Sequence, residues 1–139
     1  MRLVLDTNVV VSAMRSPRGA SAALLVAARA RKIALLANVA LALEYEATCQ
    51  LADHRLAAGL NIDQVEIFVD AVLAMIEPVE SHFLWRPQLR DAADEFVLEA
   101  AVNGKADAIV TFNLRDFGRA PERFGIQLLL PMDALRRIR

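Results

Sequence analysis

A short apolar strand that runs directly into three polar residues is the feature that most limits how this chain folds. Residues 2–5 are predicted as a strand, and Asp6-Thr7-Asn8 separate them from a second apolar run at 9–13. In an open parallel α/β sheet, ligands bind just beyond the carboxyl ends of the strands. Asp6 is therefore expected in a cleft, where its charge must be balanced by a metal, a hydrogen-bond donor or a proton. Alternatively, Asp6 or Asn8 is simply the N-cap of the next helix. These residues alone leave both interpretations open.

Composition restricts the class of protein. The chain has 139 residues, of which 56% are hydrophobic and 24% charged, with only 5 Gly and 5 Pro, so we expect one folded domain over 1–139. The net charge of −1 excludes a bulk polycation. Cys49 is the single cysteine and is expected in the core. No apolar run reaches the roughly 18 residues that span a bilayer, and Asp6 interrupts any signal-peptide core, so a cytoplasmic protein is predicted.

Strand and helix patterns alternate along the chain. Gly104 is predicted as a left-handed C-cap, and Asn38 and Asp91 or Ala92 as helix starts. The alternation predicts an α/β domain with a mainly parallel sheet. Further strands are predicted at 33–37, 79–85, 106–112 and 126–130, with helices at 9–14, 20–32, 39–55, 62–76, 92–103 and from 131. The helix at 92–103 is expected to turn Phe96, Val97, Ala100 and Ala101 inward.

Acidic residues fall near the ends of these elements. Glu44 shares a helical stripe with small or apolar residues, whereas Asp91 and Asp94 open a later helix, where either could simply cap it. Asn113 and Asp116 follow a buried strand, as Asp6 does, although Asp116 could be an ordinary turn residue. Carboxylates gathered in one cleft would repel one another, and a hard divalent cation would relieve that repulsion. Oxygen ligands favour Mg²⁺ or Mn²⁺ over zinc. His54 and His82 are isolated in the sequence, so these two histidines are expected at the surface or in loops.

Four segments together resemble a PIN domain. They are Leu3-Val4-Leu5-Asp6-Thr7-Asn8, Leu43-Glu44-Tyr45-Glu46, Asp91-Ala92-Ala93-Asp94-Glu95-Phe96-Val97-Leu98, and the segment 106–117 with Thr111-Phe112-Asn113-Leu114-Arg115-Asp116. More narrowly, the chain resembles the toxin branch of bacterial PIN proteins, the relatives of VapC-like toxins. The resemblance extends over nearly the whole chain and implies a three-layer α/β/α sandwich.

The resemblance also implies an activity, a metal-dependent endoribonuclease that hydrolyses single-stranded RNA. Carried over residue by residue, the catalytic and metal-binding acids would be Asp6, Glu44, Asp94 and Asp116, with Mg²⁺ or Mn²⁺ as cofactor. Supporting residues would be Asn8, Asp91, Thr111 and Asn113. Asn113 stands where many relatives have an acid, so one metal ligand is expected to be missing there.

The implied partners are RNA, a cognate antitoxin protein and a second copy of the chain, since PIN toxins are commonly homodimers. The apolar stripe on the helix at 62–76 is expected mainly in the core, and part of it would form the dimer interface. Arg15, Arg18, Arg115 and Arg119 lie in predicted loops and would guide the RNA backbone, although each could be an ordinary surface arginine.

Two other functions remain open from the sequence. The first is a degenerate PIN domain that binds RNA or protein without cutting, which Asn113 and the near-neutral charge favour. The second is a phosphatase or phosphotransferase with Asp6 as nucleophile. That site usually needs a lysine near the phosphate, and Lys32 and Lys105 are the only lysines in the chain.

Overall fold

The protein is built on a five-stranded, all-parallel sheet, as seen in a computed structural model that describes residues 1–81 and 88–138. The strand order is β3-β2-β1-β4-β5, which places β1 at the centre. Helices flank the sheet, so the predicted α/β class with a parallel sheet is confirmed. The strands are β1 (Arg2–Leu5), β2 (Ala34–Ala37), β3 (Ile76–Pro78), β4 (Ala108–Val110) and β5 (Gln127–Leu129).

Eight α-helices and one 3₁₀ turn connect these strands or follow them in the part of the chain that the structure describes. None of these helices is long and apolar enough to cross a lipid bilayer. The helices are α1 (Thr7–Arg15), α2 (Ala20–Arg29), α3 (Val39–Cys49), α4 (Ala52–Ala57), α5 (Ile62–Met75), α6 (Ala92–Asn103), α7 (Leu114–Phe117) and α8 (Pro131–Ile138), and the 3₁₀ turn is Pro121–Phe124.

The two central strands end side by side. In β1 and β4, Leu3 pairs with Ala108 and Leu5 with Val110, and the ladder continues because the Asp6 amide donates to the Val110 carbonyl at 2.9 Å. Both strands are buried apart from Arg2, as expected when helices cover both faces of a parallel sheet. The residues that follow the two strands are therefore held next to each other at one edge of the sheet.

The third strand lies earlier in the chain than predicted. The strand expected at 79–85 is observed as β3 at Ile76–Pro78, directly after α5, and Val79 extends the pairing by donating to the Ala37 carbonyl at 2.9 Å. β3 is an edge strand, where a proline is tolerated because one side of the strand needs no donor. The remainder of the prediction, from residue 82 on, lies outside the described residues, as do His82 and the loop at 86–87.

Two predicted helices end earlier than expected. The helix predicted at 20–32 ends at Arg29, because Arg31 adopts a left-handed conformation with φ 61°. The helix predicted at 39–55 is broken into α3 and α4, because Leu51 is extended and turns the chain back toward α1. His54 therefore lies on the separate helix α4.

Gly104 has a different role from the one predicted. Its φ is −85°, and Lys105 takes the left-handed conformation instead, with φ 53°. A Cβ at position 104 would lie 2.8 Å from the Ala100 carbonyl oxygen and 2.9 Å from Val79 Cγ2. The residue must therefore be small because the backbone is closely packed.

The core and the loop after β4 also differ in part from the predictions. Val97, Ala100 and Ala101 are buried against the sheet as expected, but Phe96 is 39% exposed because it lies on the outer face of α6. Cys49 is fully buried, which confirms its predicted place in the core. The segment expected to be a loop up to Gly125 contains α7 and the 3₁₀ turn.

Candidate active site

A cleft of about 630 Å³ opens at the carboxyl ends of β1 and β4. Four of the carboxylates that line it come from different segments: Asp6 follows β1, Glu44 lies on α3, Asp94 on α6 and Asp116 on α7. Asp91 and Asn113 line the same cleft. The fold thus brings together side chains that are up to 110 positions apart in the sequence.

Asp6 has both of the roles that its position in the sequence suggested. It is the N-cap of α1, since its Oδ1 accepts a 2.8 Å hydrogen bond from the Thr7 amide. It also lines the cleft, where its side chain is 8% exposed and Oδ2 accepts a 2.7 Å hydrogen bond from the Thr111 hydroxyl. Because Asp6 is bonded through both oxygens, its carboxylate has a fixed orientation.

Thr111 connects the ends of the two central strands. Its hydroxyl donates to Asp6 and accepts from the Asn113 amide at 3.0 Å and from Asn8 Nδ2 at 3.5 Å. Asn8 Oδ1 in turn accepts from the Phe112 amide at 3.3 Å. Thr111, Asn8 and Asn113 therefore act through this hydrogen-bond network on the position of Asp6.

α3 is fixed to the central strand beside Glu44. The Tyr45 hydroxyl donates to the Leu5 carbonyl, and Tyr45 is 2% exposed. Burial, followed by the charges of Asp6 and Glu44, raises the pKa of this phenol well above 10.0, so it stays a donor. The contact holds Glu44, the adjacent residue on α3, at the rim of the cleft.

The start of α6 is fixed in two ways. Asp91 is its N-cap, with Oδ1 accepting from the Ala93 amide at 2.8 Å. Asn38, the N-cap of α3, accepts from the Leu41 amide at 2.9 Å and donates to the Phe96 carbonyl at 2.9 Å. One asparagine thus joins the helix that carries Glu44 to the helix that carries Asp94.

The acids disfavour one another's charged forms. Burial, and then the charges of Asp6, Asp91, Asp116 and Glu44, raise the pKa of Asp94 from 3.8 to about 6. The pKa of Asp6 is raised mainly by burial, although its bonds to Thr111 and Thr7 oppose the increase. Burial and the charges of Asp6 and Asp91 also raise the pKa of Glu44. The Thr7 side chain partly opposes this increase.

Comparisons with known proteins identify the family and the fold of this chain. The PIN domain family model matches residues 2–115 of the sequence. The chain belongs to the PIN domain family. Among solved structures, the PIN domain is similar in fold to the crystal structure of VapBC2 from Rickettsia felis bound to a DNA fragment from the promoter. That match has a TM-score of 0.62 at 16% identity and covers 92% of this chain and 97% of the other. No curated protein matches the sequence.

The donor set of this PIN domain fits a hard divalent cation. Asp6, Glu44, Asp94 and Asp116 offer only oxygen, and no Lys or Arg forms an ion pair with any of them within 1–81 and 88–138. The Thr7 hydroxyl, which also lines the cleft, is buried without a hydrogen bond of regular geometry among the described residues. As the described side chains are placed, however, no three acidic, His or Cys groups are close enough to hold one ion.

The four arginines predicted to guide RNA are not in one place. Arg15 lines the acid cleft, and Arg115 and Arg119 line a second cleft next to it. Arg18 lies in a separate groove between α2 and α8, which it forms with Val26 and Leu135 among others.

The PIN domain cleft also contains residues that the sequence did not identify. His54, expected to be isolated, lines the cleft, and its Nδ1 is 3.2 Å from Arg15 Nη1. Only the break between α3 and α4 brings it there, and a continuous helical pattern gives no sign of such a break. Thr48 could have been identified, because it lies one helical turn after Glu44.

Proposed function

We propose that this PIN domain is a metal-dependent endoribonuclease that hydrolyses phosphodiester bonds of single-stranded RNA, as the toxin of a type II toxin–antitoxin pair. The observation that carries the proposal is that four carboxylates from four separate segments line one cleft without a basic partner among the described residues. Such a set of charges is unfavourable unless a cation is bound. Membership of the PIN family supports the nuclease assignment.

Asp6, Glu44, Asp94 and Asp116 would hold Mg²⁺ or Mn²⁺ in this proposal. The ion would activate a water molecule and stabilise charge on the phosphate. The chain's own residues have distinct tasks: Thr111 and the α1 amide orient Asp6, and Tyr45 holds the backbone beside Glu44. A carboxylate left free of metal would accept the proton of the attacking water.

The partners are part of the same proposal. The similarity in fold to a chain of the VapBC2 structure supports an antitoxin as partner. In this proposal the antitoxin would keep the toxin inactive by binding over the acid cleft. A homodimer through the outer part of α5 is proposed as well, because Ile62 and Ile67 are 60% and 70% exposed there.

The proposal is tested with labelled single-stranded RNAs and purified protein in Mg²⁺, Mn²⁺ or EDTA. Asp6→Asn and Asp94→Asn are expected to lower the cleavage rate by about 100-fold or more, since each weakens metal-assisted stabilisation worth several kcal/mol. Asp70→Asn, an exposed aspartate on α5, is the matched control and should cleave like the wild type. Cleavage that persists in EDTA, or in both cleft variants, would contradict the proposal.

A second function is favoured by one observation. The described acids are not close enough to hold an ion as placed, and Asn113 adds no charge, which suits a PIN domain that binds RNA or protein without cutting. Calorimetric titration with Mn²⁺ separates the two functions. Absence of both metal binding and cleavage supports the binding module, whereas metal binding that is abolished in Asp6→Asn supports the nuclease.

A further inference from the structure

A second cleft, of about 440 Å³, opens beside the acid cleft and shares three of its acids, Asp91, Asp94 and Asp116. Four arginines line the rest of it together with neutral residues. We call it the arginine pocket, after Arg90, Arg115, Arg119 and Arg123. The two clefts are therefore adjacent, and the side chains that line them change from acidic in the first to largely basic in the second.

Three short segments bring the arginines together. Arg115 lies on α7, Arg119 follows Gly118, which has a φ of 52°, and Arg123 lies on the 3₁₀ turn. Arg90 follows a stretch whose Gln88 and Leu89 amides donate to the buried Glu95 carboxylate. Arg123 Nη1 also donates to Gln88 Oε1 at 2.8 Å, which connects the two sides of the pocket.

The positive charges of these guanidinium groups are not neutralised by ion pairs within the described part of the chain. Among the described residues, no carboxylate forms an ion pair with any of the four, and Arg115, Arg119 and Arg123 are exposed. Arginine stays charged at every relevant pH and binds phosphate oxygens through two parallel N–H donors. The pocket is therefore suited to a phosphodiester backbone.

A polyanion needs such a pocket because the acid cleft alone repels it. The chain has a net charge of −1, so no general attraction brings RNA to the surface. Arg15 is the one arginine that lines the acid cleft in the described part of the chain, and it lies with His54 on the α1 and α4 side. The cations available to a bound strand are thus concentrated on one side of the acids.

We propose that the arginine pocket binds backbone phosphates of the RNA on one side of the scissile bond, so that the strand is held mainly from that side. This proposal rests on the proposed function for its substrate, and it adds Arg90 and Arg123 to the binding surface. An acidic protein segment is the less suitable occupant, because its side-chain carboxylates lack the regular spacing of backbone phosphates.

Binding measurements in EDTA test the pocket without any need for catalysis. Asp6→Asn serves as background, and fluorescence anisotropy of a labelled single-stranded RNA is recorded over a range of salt concentrations. Adding Arg115→Gln and Arg119→Gln should weaken binding and reduce the slope of log K against log salt by about 0.7 for each phosphate that an arginine no longer neutralises. Adding Arg29→Gln and Arg136→Gln, which remove the same charge from exposed sites outside both clefts, should change neither quantity.

Equal affinities and slopes in the two double variants would overturn the proposal that the arginine pocket binds RNA, even if the wild type cleaves RNA. A slope that decreases only in the pocket variant, with no cleavage by the wild type, would support the pocket and contradict the nuclease. Polyglutamate that displaces the RNA at equal charge concentration would overturn the proposal in favour of an acidic protein segment.

A separate experiment tests whether the strand is held mainly from one side of the scissile bond. Single neutral methylphosphonates are placed along an RNA whose cut site the wild type has defined. Binding should weaken for positions on one side of the cut, and the Arg115→Gln, Arg119→Gln variant should not show that sensitivity. Equal sensitivity on both sides would overturn the one-sided arrangement.

Discussion

The Thr111 hydroxyl donates a 2.7 Å hydrogen bond to Oδ2 of Asp6, and this bond lowers the pKa of an acid that burial raises. The two residues are 105 positions apart and meet because β1 and β4 are neighbours in the sheet. A side chain that follows one central strand thus orients a carboxylate that follows the other and favours its charged form.

Thr111→Val keeps the shape of the side chain and removes the hydroxyl. We expect the pKa of Asp6 to rise further, because the hydrogen bond to its charged form is removed. We also expect the free energy of unfolding to decrease by about 1–3 kcal/mol, because buried partners are left unpaired. NMR titration of the Asp6 carboxyl carbon and chemical denaturation measure the two effects. Thr48→Val, on the α3 side of the same cleft, is the control. An Asp6 titration unchanged from the wild type would contradict the role given to Thr111.

Asp94 makes the stability of the metal-free protein depend on pH. Its pKa is raised from 3.8 to about 6 by burial and by the neighbouring acids, so the folded chain binds more protons than the unfolded chain between these values. Folding therefore loses stability as the pH rises through this interval, and the whole penalty is present above it. We expect Asp94→Asn to melt at a higher temperature than the wild type in EDTA at pH 7.

The difference in Tm between Asp94→Asn and the wild type should be small near pH 4, grow up to about pH 6 and stay constant above it. Asp70→Asn, on the exposed side of α5, provides the matched control. A difference that shrinks as the pH rises would show that Asp94 is stabilised, and not penalised, by its surroundings.

Metal binding should release protons from the cleft. At pH 6 the Asp94 carboxyl is about half protonated, so binding of Mn²⁺ is expected to displace about half a proton from it, and almost none at pH 7.5. Calorimetry in two buffers with different ionisation enthalpies measures this number. Asp70→Asn should release as many protons as the wild type. Equal proton release at both pH values would mean that Asp94 does not bind the metal.

Gly104→Ala should destabilise the protein by about 1–3 kcal/mol, because the added methyl group would lie 2.8 Å from a backbone oxygen and 2.9 Å from Val79. Gly19→Ala should cost clearly less, since its nearest neighbour would be at an ordinary 3.4 Å. Urea denaturation of the two variants gives the comparison. Similar losses of stability at both positions would indicate that α6 can shift to accommodate the methyl group.

Features set by local chemistry could be predicted from the sequence. Asn38 and Asp91 are predictable as helix starts, because a side chain that accepts from a nearby amide is enough to begin a helix, and both are N-caps. The parallel sheet follows from the alternation of strands and helices. The convergence of Asp6 with Asn113 and Asp116 at one cleft could be expected, because each of them follows a buried strand.

Features set by contacts between distant segments could not be predicted. The break before α4 brings His54 to the cleft and depends on packing against α1. No proline or glycine marks this break in the sequence. The start of β3 at Ile76 depends on pairing with Leu35, since the apolar pattern alone runs on unbroken from α5. Arg90 and Arg123 line one pocket only after the chain between them has folded, so their spacing in the sequence does not predict the pocket.

The close packing at Gly104 also affects where loss of function should arise. α6 has 12 residues and is therefore about 18 Å long, with Gly104 at one end and Asp94 near the other. We expect a bulky substitution at Gly104, or at Leu36, which packs against it, to tilt α6 and so to displace Asp94 near the far end of the helix. A genetic screen for inactive variants should then also find positions outside the cleft that do not contact nucleic acid.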